Sequence, residues 1–423
     1  MRLRRFKWAG AAPTARTVRA WTAESVPEID LTPIEREVRE EGDTALRRLT
    51  ERFDATEQPL DSLRVDRADA DEALAGIDVG LRESLELAAA NVRAVAEAQL
   101  GGAIRAVQLP QGQTVRVGEL PVASAGVYAP GGGAAYPSSV LMGCIPARVA
   151  DVGSLTLVTP PGPDGRIDPL VLAAAALCDV DEIHPIGGAQ AIFALAYGTD
   201  TVRAVDVIAG PGNLWVTEAK RAVFGQVGID SLAGPSELML VAGHDSDVEW
   251  AALDLCAQAE HGDGGALVAV AVEEAVLEAI GEATERAAAA RPGVGNAPLA
   301  LVQVPDLSDA IDFANGFAPE HLELLEDDAV LLAGKATTAG CVFAGRYGAT
   351  AFGDYVAGSN HILPTGGVGR FSGPLSPRVF RRSAATVEVT AAAASKLAPH
   401  ADALARAEGF PVHGESAMIR TES

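Results

Sequence analysis

The stretch AGVYAPGGGAAYPSSVLMGCIPARVADVGSLTLVT, residues 125–159, decides the fold. A short apolar run, Ala125–Tyr128, gives way to a glycine-rich turn and a helical pattern over Ser138–Ala150. A second apolar run follows at Leu155–Thr159. The alternation continues outward. Glu182–Ile186 and Ala204–Ile208 read as strands, and Pro169–Leu177, Ala189–Tyr197 and Leu214–Phe224 as helices. Strands and helices that alternate across short Gly/Pro turns imply an α/β fold with a parallel sheet covered on both faces. A second series supplies strands at Leu238–Ala242, Ala266–Val272, Leu299–Val304 and Cys341–Phe343. Asp247–Glu260, capped by Asp245 or Ser246, and Glu274–Ala290 are its clearest helices. The first ~100 residues read as mainly helical. Beyond about Pro374 an Ala-rich helix leads into a tail ending near Ser416, too short to fold alone and so expected to dock on something.

Composition narrows the function. A formal charge of −24 over 423 residues would repel a phosphate backbone, which argues against nucleic acid. No apolar run is long enough to span a bilayer, and the basic N-terminus lacks an apolar core behind it, so neither a membrane span nor a signal peptide is expected. Lysine occurs only at Lys7, Lys220, Lys335 and Lys396, and the acidic residues are dispersed over helical stretches. Such a surface suits a salt-rich cytoplasm, where screening removes self-repulsion. Cys144, Cys178, Cys256 and Cys341 are far apart in apolar runs and form no C-x-x-C pair. They read as buried thiols of a reducing compartment.

The chemistry concentrates in polar, Gly-flanked segments. Asn315-Gly-Phe-Ala-Pro-Glu-His-Leu-Glu-Leu324 sets Glu320 and His321 side by side after a proline that breaks a helical pattern. On a loop, such a carboxylate and imidazole can serve one substrate as base and water activator, or can form a helix-end ion pair. Gln258 and His261 stand three apart on an expected helix and so share a face. Asp354 lies in a Gly-rich loop and His413 in the tail. With Gln258 and His261 they make an N/O donor set without thiolate, suited to zinc. Each also has a plain structural role available: a solvated helix cap for Gln258 and His261, an Asx-turn for Asp354, a surface position for His413. Three loops, Tyr128–Ser139, Ile186–Gln190 and Gly210–Asn213, run from strand to helix with glycines that free backbone N–H groups for phosphate. None carries the G-x-G-x-x-G fingerprint. Together they favour a dinucleotide site.

These motifs in this order resemble the histidinol dehydrogenase family. The likeness covers nearly the whole chain, from Val38-Arg-Glu-Glu-Gly-Asp-Thr-Ala-Leu46 to the tail. It is strongest from Ile229-Asp-Ser-Leu-Ala-Gly-Pro-Ser-Glu237 through Ala259-Glu-His261. The resemblance implies two incomplete Rossmann-like parallel-sheet domains, which accounts for the missing fingerprint. One spans 25–124 and 237–373 and carries the zinc and catalytic loops; the other spans 125–236 and binds NAD. An N-terminal arm (1–24) and a C-terminal docking tail (374–423) complete a cytoplasmic homodimer. It implies zinc held by Gln258, His261, Asp354 and the tail's His413 from across the dimer. Glu320 and His321 become the acid/base pair. Ser236, His361 and Glu408 join the zinc ligands and His321 around L-histidinol, and Tyr128, Gln190 and Asn213 contact NAD. The implied reaction is a two-step, four-electron oxidation of L-histidinol to L-histidine through the aldehyde. A related zinc dehydrogenase for another amino- or hydroxy-alcohol is the nearest rival. A metal hydrolase leaves the three Gly-rich loops without a role, and a silent nucleotide-binding protein has no use for both Glu320 and His321.

Overall fold

The computed structural model describes residues 1–23, 29–54, 60, 62–102, 104–131, 134–326 and 328–421. Gly132 and Gly133 of the first glycine-rich turn lie outside them. Two parallel sheets form the frame, as the alternating pattern requires. The six-stranded sheet runs Arg2–Phe6, Pro298–Gln303, Ala266–Ala271, Glu237–Ala242, His321–Leu324 and Cys341–Ala344. Every neighbouring pair in it is parallel. The five-stranded sheet runs Glu182–Pro185, Ser154–Thr159, Ser124–Tyr128, Val207–Ala209 and Gly228–Ile229, again all parallel. Their central strands are buried on both faces, which is why they read as unbroken apolar runs.

The sequence boundaries hold to within a few residues at most of these elements. The strand expected at Ala204–Ile208 is the shorter Val207–Ala209. Asp206 lies outside it and binds the Ser124 N–H at 2.9 Å. The helix Val248–Ala259 is capped not by Asp245 or Ser246 but by Asp247, whose Oδ1 accepts from the N–H groups of Glu249 and Trp250.

A third, antiparallel sheet of Arg381–Glu388, Thr114–Pro121 and Arg105–Gln108 left no sequence signal. Its shortest strand is exposed along its whole length and has no apolar face to read. The segment read as an N-terminal arm forms the edge strand Arg2–Phe6 and the helix Ala11–Thr22, which lies against the helix Leu307–Phe317. The helices of residues 29–100 also pack differently from the expected grouping with 237–373. Thr32–Glu41 and Asp43–Phe53 rest on Gly188–Tyr197, Arg67–Gly76 on Pro169–Leu177, and Val79–Gln99 on Pro137–Val149. They bury the apolar faces of the five-stranded sheet's own helices. The last helices, Ala391–Ala407 and Pro411–Met418, pack chiefly on each other and leave Leu404, Phe410, Val412 and Ile419 exposed.

One turn between sheet and helix has no room for a side chain. Gly210 has φ +121°, and an added Cβ would meet the Tyr128 carbonyl. Gly210→Ala should therefore cost on the order of 2–3 kcal/mol, from φ strain together with the clash. Thermal unfolding of wild type and variant checks this, and equal melting temperatures would refute it.

Candidate active site

The helix Leu307–Phe317 ends at Ala318 in the left-handed region (φ 52°), and Pro319 forbids its continuation. The chain then enters the sheet at once. His321–Leu324 is a strand, not the loop expected from the proline, and all four of its residues are buried. Parallel pairing sets it beside Glu237–Ala242 with His321 opposite Leu238. Glu320 and His321 thereby meet one residue's main chain. The Glu237 N–H donates to Glu320 Oε2 at 2.7 Å, and Ser236 Oγ donates to the same oxygen at 2.5 Å. The Glu237 carbonyl lies 3.1 Å from His321 Nδ1. A carbonyl only accepts, so Nδ1 carries hydrogen and Nε2 is left for chemistry. That Nε2 lies 3.6 Å from Asp354 Oδ1.

Burial raises Glu320 to about 7, although His321, Ser236 and the Glu237 N–H all favour its charged form. Burial alone would lower His321. The Glu320 charge, Asp354 and the Glu237 carbonyl outweigh it and bring the imidazole to about 9.

Asp354 belongs to the short helix Thr350–Tyr355 and not to a Gly-rich loop. Gln258 lies in the last turn of Val248–Ala259, whereas His261 falls just past the helix and donates its N–H to the Gln258 carbonyl at 3.3 Å. That closing i→i+3 turn keeps the two on one side of the helix end. Burial lowers His261, with Asp354 and His321 near enough to act on it in opposite directions. His361 Nδ1 meets the Asp354 carbonyl at 3.0 Å, and its Nε2 lies 3.1 Å from Ser139 Oγ. Ser139 opens the helix that follows the Tyr128 loop, so this contact ties the five-stranded sheet's loop to the site. Burial lowers His361 and favours the neutral ring.

Tyr128, Gln190 and Asn213 come together in a cleft of about 490 Å³ that Asp54, Gly188 and Trp215 also line. Tyr128 Oη accepts the Gly188 N–H at 3.2 Å, and burial raises its phenol. Asn213 caps the helix Leu214–Val223 through the Val216 N–H, and Gln190 Nε2 is buried without a partner. Two helix N-termini with a free amide can receive a polar, anionic ligand. Glu408 and His413, by contrast, are exposed on the C-terminal helices. Among the described residues no side-chain hydrogen bond joins either to this site within one chain. No group of three or more His, Cys, Asp or Glu side chains among the described residues is placed to hold a metal. Gln258, His261 and Asp354 therefore need a donor from elsewhere.

The family model for histidinol dehydrogenase matches residues 19–421. The chain belongs to the histidinol dehydrogenase family. The histidinol dehydrogenase of Nitrosomonas europaea is 44% identical over 408 residues, covering 94% of each chain. That of Haloarcula marismortui is 44% identical over 401 residues, covering 93% of each. The crystal structure of histidinol dehydrogenase from Elizabethkingia anophelis superposes with a TM-score of 0.91 at 29% identity, over 100% of this chain and 98% of that one. An acetylating aldehyde dehydrogenase from Geobacillus thermoglucosidasius shares only the fold, with a TM-score of 0.50 at 13% identity.

Three polar groups around this histidinol dehydrogenase-family site escaped the sequence reading. Ser139 and Glu237 stood inside quoted motifs, but their partners come from distant elements. Glu323 lies on the face of the strand that carries His321, fully buried, with Oε1 accepting from Thr350 N–H (2.8 Å) and hydroxyl (2.6 Å). Burial and the neighbouring Asp254 carboxyl push Glu323 up to about 8, and burial pushes Asp254 up to about 6. Glu323 thus sits as a raised carboxyl beside Asp254, among the helix of Gln258, the helix of Asp354 and the strand of His321. Glu323's folded pKa lies above its ordinary 4.5, so its stabilisation is complete below that value and lost as pH rises through about 8. Glu323→Gln cannot ionise. Its melting temperature should fall less than wild type's between about pH 5 and about pH 8.5. Equal falls, read by differential scanning fluorimetry, would contradict the raised titration of Glu323.

Proposed function

We propose that this chain oxidises L-histidinol to L-histidine in two NAD-dependent steps with zinc as a structural and electrostatic partner. The observation that carries the reading is the Glu320–His321 pair fixed on the Glu237 main chain beside Asp354, within a histidinol dehydrogenase fold.

The donor set fits zinc. Gln258 is buried and its Nε2 has no partner; an amide's O and N are interchangeable by rotation, so either atom is available to a ligand. His261 and Asp354 supply nitrogen and oxygen donors of the kind zinc accepts. The exposed apolar residues of the C-terminal helices support docking on a second copy, which would bring His413 and Glu408 of the partner subunit to the site. When bound, zinc would supply Lewis-acid binding for donor atoms of the substrate and would offset the Asp354 charge beside His321. The cleft fits NAD through Tyr128, Gln190 and Asn213, and a bound nicotinamide supplies the hydride acceptor.

The chain's residues then act in order. His321 Nε2 takes the alcohol proton as hydride leaves the carbinol carbon, which gives the aldehyde. Glu320, near neutrality, takes a proton from water as the water oxygen adds to the aldehyde carbon, and His321 returns its proton to the aldehyde oxygen, which leaves the neutral hydrate and a neutral imidazole. His321 then takes one hydroxyl proton from the hydrate as the second hydride leaves, which gives the carboxylic acid, and the acid's remaining proton passes to solvent to leave the carboxylate. Ser236 and the Glu237 N–H hold Glu320 in place throughout, and His361 with Ser139 positions the substrate from the opposite side. No thiol takes part: Cys144 is fully buried and its pKa is pushed well up by that burial. Among the described residues no helix is long and apolar enough to cross a membrane.

Zinc-replete protein given L-histidinol and NAD⁺ should yield histidine with two NADH for each histidinol consumed. No NADH, or activity on a small diol alone, would overturn the assignment. Glu320→Gln should slow oxidation of the aldehyde by roughly 10²–10⁴-fold while sparing the alcohol step; equal effects on both steps would remove Glu320 as the water's base. Cys144→Ala should keep both oxidations, and loss of the second alone would restore a thiol mechanism.

A further inference from the structure

We infer that Arg19, on the N-terminal helix, is a positioning residue for the acid/base pair, acting through Glu237. Arg19 Nη1 donates to Glu237 Oε1 at 2.5 Å and Nη2 to Oε2 at 3.2 Å. Nη2 also donates to the Phe317 carbonyl at 2.6 Å, and the guanidinium lies 3.8 Å from the Phe317 ring centroid. The Gly366 N–H completes the Glu237 carboxylate at 3.2 Å. Glu237 is buried, so this fork holds its charge and fixes its side chain at the same time. The main chain of that residue is what grips both catalytic side chains. Its N–H holds Glu320 Oε2 and its carbonyl holds His321 Nδ1. Phe317 closes the helix that delivers the Glu320–His321 strand, so one guanidinium binds both sides of the junction.

Two consequences follow for chemistry. Position comes first: a catalytic group displaced by about 1 Å can lose roughly 10²-fold in rate. Charge comes second. The Glu237 carboxylate acts to raise Glu320, and Arg19 offsets that charge. The other groups facing Glu320 are His321 on its own strand and Ser236 on the neighbouring one, with Asp354 beyond His321.

The inference rests on the proposed reaction, so the test carries a readout free of turnover. In zinc-replete enzyme, Arg19→Met should lower kcat by roughly 10- to 100-fold and leave KM for histidinol nearly unchanged, because Arg19 does not touch substrate. The acidic limb of its pH–rate profile should move to higher pH, since an unneutralised Glu237 raises Glu320. Glu237→Gln should move that limb to lower pH, and Arg19→Lys should recover part of kcat. A pair that serves only the fold would change melting temperature and move neither limb. In ¹⁵N-histidine-labelled protein, the Nδ1 proton of His321, assigned by its loss in His321→Asn, should exchange slowly in wild type and fast in Arg19→Met. An unchanged proton signal and unchanged limbs would overturn the inference. A wild type that does not oxidise histidinol, yet shows the expected change in proton exchange, would overturn the reaction and keep the positioning role. Should Arg19→Met fail to fold, Arg19→Lys and Glu237→Gln carry the same two comparisons.

Discussion

The site depends on parallel pairing between two strand starts, Glu237–Ala242 and His321–Leu324. At the first residue of a strand the main chain has groups the ladder does not consume. Here those of Glu237 are spent on a carboxylate and an imidazole. The N–H satisfies Glu320 while the carbonyl fixes the His321 tautomer. A hydrogen bond from a rigid strand holds a side chain better than one from a loop, because the strand's own pairing prevents the donor from following it. That single arrangement sets the geometry of the pair and selects which imidazole nitrogen the main chain occupies.

The electrostatics follow from where the strand lies. Glu320, His321, Glu237 and Glu323 are all buried at one end of the six-stranded sheet. Charges there are costly unless each finds an opposite charge or a shared proton. Arg19 answers Glu237, Asp354 and Glu320 answer His321, and Thr350 satisfies Glu323, whose titration burial and Asp254 raise. The result keeps a carboxyl group near neutrality next to a basic imidazole, the condition for passing protons at physiological pH.

Much of this was legible from residues. Alternating apolar runs located most strands of the two parallel sheets, since buried parallel strands are apolar on both faces, but missed Arg2–Phe6, Gly228–Ile229 and His321–Leu324. The side chains Glu320, His321, Gln258, His261, Asp354 and His361 were each singled out, and the fold does bring them near one another. Their settings were less legible. A proline before Glu320 suggested a loop, yet a left-handed Ala318 lets the chain turn straight into a strand. Asp354 looked like a glycine-loop residue because a five- or six-residue helix carries too little periodicity to detect. Arg19 was invisible as a site residue because its partner lies 218 positions away. Pairings of that range are created by topology, and no local pattern encodes them.

The most direct measurement is a crystal structure of the zinc-loaded protein with L-histidinol. The account predicts the substrate hydroxyl within hydrogen-bond reach of His321 Nε2, with Nδ1 still held on the Glu237 carbonyl. A flipped imidazole that offers Nδ1 to the substrate, or a hydroxyl bound away from the Glu320–His321 pair, would contradict it.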